Sequence, residues 1–173
     1  MNFNNQIWVS GKIEPGDFYA KFTGRFSELM QTSKERSQWT VFFNSRGGDT
    51  ETTLGVYDLL VNCRRKLVGI VAGTAQSGAS VVLQACHRRI MTPNSTLMLH
   101  LSSVQISGAV EDVQKALDKF RCLDEKFIEI YAKRMKRTRN EMDVIMRRVD
   151  CHLNPQEALG LGLIDEIWNS RVF

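Results

Sequence analysis

The chain has 173 residues, 43% hydrophobic and 24% charged, with a net charge of +4. That length suits one domain spanning residues 1–173, able to bury roughly 70% of the surface its unfolded form would expose, with no need of disulfide or metal staples. No run reaches the ~18 apolar residues of a membrane span, no positive segment leads into a signal-peptide core, and no solenoid repeat or low-complexity tract occurs, so a cytoplasmic globular protein is expected.

Gln6 to Ile13 alternates apolar and polar residues and reads as a first strand, stopped by Glu14-Pro15-Gly16. From Asp17 to about Ser33 the apolar positions Phe18, Phe22, Phe26, Leu29 and Met30 recur at helical spacing. Trp39 to Asn44 is a second strand running into Ser45-Arg46-Gly47-Gly48-Asp49, and a helix from Thr50 to about Arg64 follows. The glycine pair ahead of that helix is either a simple turn or a place where backbone amides point at an anion or a developing negative charge. It has neither Walker nor GxGxxG spacing, which argues against a nucleotide.

Leu67 to Ala72 is a continuous apolar run that fits a strand buried on both faces. Gly73 to Ser77 carries it into an apolar helix, Ala79 to Cys86, giving strand–helix–strand–helix order and a mostly parallel sheet. Ser77, at the junction, is either an N-cap or a nucleophile. Arg89–Met91 and Thr96–His100 read as two strands about the turn Thr92-Pro93-Asn94-Ser95, which leaves His100 at a strand end.

Ala109 to about Arg137 is the longest helix, with an apolar stripe from Val110 to Tyr131 over about eight turns. A stripe of that length exceeds what one sheet needs for cover, so part of it is expected to face another subunit. A short helix, Asn140 to Val149, is expected to end at Asp150-Cys151-His152. Asn154 then caps a last helix with Pro155 at its first position, and a turn and final strand close the chain by Ile167.

Cys63, Cys86, Cys122 and Cys151 lie far apart, with no CxxC or metal-ligand spacing, in segments read as helical or near a helix end. They are expected to be reduced packing thiols. Lys133, Arg134, Lys136, Arg137 and Arg139 crowd one helix end, with Arg147 and Arg148 beyond. Such a cluster is read as a solvated helix end complementing the dipole rather than a nucleic-acid surface.

A serine attacks only when a base takes its proton and a third group fixes that base. The chain offers Ser77, then His87, His100 or His152, then an acid; this order and the absence of GxSxG disfavour an α/β-hydrolase.

Four segments taken together, Asn44-Ser45-Arg46-Gly47-Gly48-Asp49, Ala75-Gln76-Ser77-Gly78-Ala79, Thr92 to His100 and Asn154 to Asp165, resemble the ClpP family, the proteolytic subunits of Clp proteases. The resemblance runs from about Ile7 to Ile167. It implies an α/β, ClpP/crotonase-like fold: a head of about 7–106 and 138–167, and a protruding handle helix of about 109–137. By the same resemblance Ser77 falls on the nucleophile, His100 on the general base and Asp150 on the orienting acid, with the amides of Gly48 and Gly78 on the oxyanion hole. His87 and His152 are left as structural histidines.

The family assembles as homo-oligomeric rings, one or two stacked and commonly heptameric, that enclose the sites. An ATP-driven unfoldase can feed them protein or peptide substrates. The subunit itself is expected to need no cofactor and no metal, and neither nucleic acid nor membrane is an expected partner. Arg46 stands where the family usually has proline, few residues precede the first strand, and Thr40 interrupts the aromatic pair that Phe42 would complete. The competing expectations are a crotonase-type acyl-CoA enzyme on the same fold and a catalytically silent ring scaffold.

Overall fold

A computed structural model describes residues 5–146 and 150–168. The first strand, β1 (Gln6–Ile13), is followed by α1 (Asp17–Thr32), β2 (Gln38–Gly48), α2 (Thr50–Asn62), β3 (Lys66–Gln76) and α3 (Gly78–Leu83). Then come β4 (Arg88–Met91), β5 (Thr96–Leu99), α4 (Val110–Met135), α5 (Arg139–Met146), β6 (Cys151–Leu153), α6 (Pro155–Gly160) and β7 (Glu166–Ile167). The sheet runs β1-β2-β3-β4-β7, all parallel, with β5 parallel to β3 and β6 antiparallel to β5. The α/β class with a mostly parallel sheet and strand–helix units is therefore as the sequence implied.

The long strand β3 changes neighbours along its length. Val68–Val71 pair with β4, whereas Thr74–Gln76 pair with β5. The switch occurs around Gly73, whose φ of +119° and contact with the Asn44 side chain leave no room for a Cβ. Leu67 to Val71 are buried on both faces, as their apolar run implied. Gly69 lets α3 lie directly on the strand, since a Cβ there would stand 2.7 Å from Leu83 and 2.9 Å from the Cys86 sulfur.

The main core joins β1, β2 and β3 to the helices through Ile7, Trp39, Phe43, Leu67, Leu83 and Phe127. A smaller cluster of Val68, Ile70 and Ile90, with Phe42 and Trp168 against it, forms on the other face. There Trp8 stacks on Phe42 with ring centroids 4.6 Å apart and is half exposed.

Two expectations need correction. The apolar run after Ser77 predicts a helix to Cys86, but α3 ends at Leu83 and continues as tightened i→i+3 turns. Arg134 stabilises that end by donating from Nε to the Gln84 carbonyl (2.7 Å) and from Nη2 to the Cys86 carbonyl (3.0 Å). Cys151 was placed near a helix end and lies instead in β6. Residues 147–149 of the expected helix lie outside the described residues.

All four cysteines are free thiols, and burial pushes that of Cys86 up to about 12. Within the basic cluster Arg134 is engaged as above, Arg137 pairs with Glu141, and Arg139 with Glu125 and Asp143; Arg147 and Arg148 lie outside the described residues.

On α4 the apolar stripe is covered only over its C-terminal half, where Leu123, Phe127, Ile128, Tyr131 and Met135 are buried. Val110 and Leu117 are exposed. No helix among the described residues is long and apolar enough to cross a membrane.

The C-terminal segment is pinned by a bidentate pair. Arg89 Nη2 and Nε donate to the two Asp165 carboxylate oxygens at 2.6 and 3.0 Å, and the Arg89 backbone N–H adds a third bond at 2.7 Å. Burial opposes the charged carboxylate, but these bonds prevail and hold Asp165 below its ordinary range. Its stabilisation is complete above about pH 4 and is lost as the pH falls through the lowered value. Asp165→Asn should cost about 2 kcal/mol at pH 7. That is less than the loss of a fully buried pair, because the Asp165 side chain keeps 40% exposure. In urea unfolding the gap between wild type and variant should shrink by pH 3.

Candidate active site

Ser77 sits where β3 turns into α3, with φ 51° and ψ −126°, a conformation rarely adopted by a residue with a side chain. It occupies the N-cap position, yet its side chain makes no cap hydrogen bond. Its Oγ instead lies 2.7 Å from His100 Nε2. The capping reading of the hydroxyl is thereby removed. The strained turn is held by its backbone: the Ser77 N–H donates to the Met98 carbonyl at 2.9 Å, and the Ser77 carbonyl accepts from the N–H groups of Ser80 and Val81.

Register brings the histidine to the serine. Gln76 pairs with Met98 as the last step of the β3–β5 ladder, so the next residue on one side is Ser77 and His100 follows two beyond Met98 on the other. The antiparallel ladder of β5 with β6, which pairs Leu99 with Cys151, places Asp150 across from His100 in turn. Asp150 adopts a left-handed φ of 47°, and its Oδ1 lies 3.4 Å from His100 Nδ1. That is ion-pairing distance, longer than a formed N–H···O bond. The Asp150 side chain is half exposed.

The other histidines stand elsewhere. His87 Nδ1 accepts from the Leu67 N–H at 3.2 Å, a backbone-satisfying role. His152 lies exposed on β6.

The two glycines meet the same turn. Gly78 opens α3, so its N–H has no acceptor within the helix. Gly47 has a φ of +86°, and a Cβ on it would stand 2.6 Å from the Gln76 carbonyl, 2.8 Å from the Gly78 nitrogen and 2.9 Å from the Ser77 Cβ. Gly47 therefore lies directly against the nucleophile turn, whereas a Cβ on Gly48 would run into the Ile13 backbone of β1. Asp49 caps α2 through Oδ1, which accepts from the Thr52 N–H (2.7 Å) and hydroxyl (2.6 Å).

A cleft of about 400 Å³ runs past Ser77, His100 and Gly48. Its walls include Arg46, Met98, the loop residues Ser102 to Val104, and Phe120 and Phe127 of α4. Sequence reasoning did not assign Phe120 and Phe127 to the site, because their helical spacing marks them only as part of the stripe. The loop is tied to α4 by Asp124 Oδ1, which accepts from the Ser102 N–H and hydroxyl at 2.9 and 2.7 Å. No cluster of three or more His, Cys, Asp or Glu residues suited to a metal occurs among the described residues.

A hydroxyl on an imidazole, an acid behind the ring, and the free Gly78 N–H that follows the serine can in combination carry acyl transfer. In comparison with known families, the family model described as Clp protease matches residues 6–171.

Gly47→Ala should disturb the turn directly. Two of the three close contacts are backbone atoms and the third is the Ser77 Cβ, which is fixed to the backbone, so none can swing aside, and alanine disfavours the positive φ. A loss of about 2–3 kcal/mol in denaturant unfolding is expected, as for other strained backbone positions. A stability equal to wild type would mean the turn is not packed as described.

Proposed function

The chain belongs to the Clp protease family, and we propose that it is a serine endopeptidase that cleaves unfolded proteins or peptides through an acyl-enzyme on Ser77. The observation that carries this reading is the 2.7 Å contact between Ser77 Oγ and His100 Nε2. To take the hydroxyl proton Nε2 must be bare, which puts the ring proton on Nδ1, the nitrogen nearest Asp150.

In the first half of the reaction Oγ attacks the scissile carbonyl as its proton passes to His100, and the imidazolium then protonates the leaving amine. Asp150 holds the tautomer and offsets the charge on the ring. The N–H groups of Gly48 and Gly78 receive the oxyanion, where one donor typically contributes ~10²–10³ in rate. Water, deprotonated by His100, then releases the acyl group. The hydroxyl held on an imidazole supports this reading over an acyl-CoA enzyme or a silent scaffold, neither of which calls for that contact.

Assembly into homo-oligomeric rings around an inner chamber is part of the proposal, with α4 as the handle. The exposed Val110 and Leu117 on the uncovered half of α4 support it. An ATP-driven unfoldase would be the partner that delivers folded substrates, and the chemistry above calls on no cofactor or metal.

Ser77→Ala should abolish hydrolysis of a fluorogenic peptide and labelling by a fluorophosphonate, with particle size by light scattering unchanged. Hydrolysis near the wild-type rate would put the nucleophile elsewhere. Asp150→Asn should lower kcat by about 10²–10⁴ with little change in Tm; unchanged turnover would remove Asp150 from the set.

A further inference from the structure

Beneath the nucleophile turn lies a polar cluster fully closed to solvent. Ser80 is 0% exposed and Tyr131 1% exposed. Ser80 Oγ is 2.6 Å from the Tyr131 hydroxyl, 2.7 Å from the Ser77 carbonyl oxygen and 2.9 Å from the Met98 carbonyl oxygen. A hydroxyl has one proton to give, and a carbonyl can only accept. Were Ser80 to donate to Tyr131, both carbonyl oxygens would face a bare oxygen at hydrogen-bond distance.

The arrangement is satisfied only if the Tyr131 hydroxyl donates to Ser80 Oγ and the Ser80 proton points between the two carbonyls. Burial pushes the Tyr131 phenol up from its ordinary value, so it remains a proton donor throughout the working range.

The two carbonyls belong to the elements that have to be held together. Ser77 carries the candidate nucleophile, and Met98 lies on the strand that leads directly into His100. Met98 already accepts the Ser77 N–H, so one carbonyl receives both the backbone and the Ser80 bond. Hydrophobic residues could fill this space, and a buried polar chain of this kind stays favourable only when every member is paired. Its place across the joint between β3 and β5 gives it a use that bulk packing does not.

We propose that Tyr131 and Ser80 are positioning residues for the peptidase reaction. The phenol of α4 orients the Ser80 hydroxyl, which straps the strained Ser77 turn to the strand bearing the base. The inference rests on Ser77 as nucleophile and names two residues that touch neither substrate nor the reacting atoms. Loss of either should misplace Oγ relative to Nε2 and slow the acylation step, while the cleft that binds the peptide is left intact.

The test compares wild type, Tyr131→Phe, Ser80→Ala and the double variant by peptide kinetics and by the rate of fluorophosphonate labelling mapped to Ser77. Tm and particle size are measured alongside. Each single variant should label and turn over about tenfold more slowly, with KM changed by less than about twofold. The double variant should be no slower than Ser80→Ala alone, because both residues act through one chain of bonds.

Ser80→Ala removes a single atom, which keeps the test open should Tyr131→Phe fail to fold. Wild-type labelling rates in the folded variants, even with a lowered Tm, would overturn the positioning role and leave the nucleophile reading standing. Losses that multiply in the double variant would also overturn it. Absence of labelling at Ser77 in the wild-type protein would overturn both readings.

Discussion

The site depends on the hydrogen bond from the Ser77 N–H to the Met98 carbonyl, the last rung between β3 and β5. Strand β3 has β4 as its neighbour over one half and β5 over the other, and the change at Gly73 frees the second half to take a new partner. Without that change, β5 would have no ladder to join, and His100 would end its strand far from Ser77. Strand β6 then adds to the open side of β5 and extends the same logic to Asp150. Three candidate groups from widely separated parts of the chain are thus aligned by two ladders rather than by side-chain packing.

Holding Ser77 at φ 51° costs on the order of 1–3 kcal/mol, and its surroundings have to supply that. The Ser77 carbonyl accepts three bonds and its N–H makes one, so the backbone of this residue is among the most constrained in the fold. Glycines close the space around it: Gly47 lies against Gln76 and Ser77, and a Cβ on Gly78 would stand 2.2 Å from the Thr53 hydroxyl. Close approach, more than flexibility, explains glycine at these positions. The hydroxyl is freed from capping for the same reason, since the backbone bonds already fix the turn.

Helix α4 serves two different environments. Its C-terminal half is core, and through Tyr131 and Phe127 it reaches both the underside of the nucleophile turn and the wall of the cleft. Its N-terminal half carries the same apolar periodicity into solvent, with Val110 85% exposed. A single stripe thus runs from the site to an uncovered surface.

The sequence by itself determined the α/β class and most element positions, while the roles of Ser77, His100 and Asp150 came only from its resemblance to a known family. Apolar runs, helical spacing and the glycine and proline punctuation are local signals that survive without the fold. Asn154 as a cap with Pro155 after it was legible in this way and forms a capping box with Glu157. Strand β6 was not legible, because three residues carry no periodicity and their pairing is with a strand some fifty residues earlier.

The end of α3 at Leu83 was likewise invisible, because the Arg134 that satisfies its carbonyls comes from α4. Which of the three histidines meets Ser77, and whether its hydroxyl caps a helix or faces an imidazole, depended on the register of β3 with β5. Register is a non-local property, decided only when two distant strands share one set of backbone hydrogen bonds.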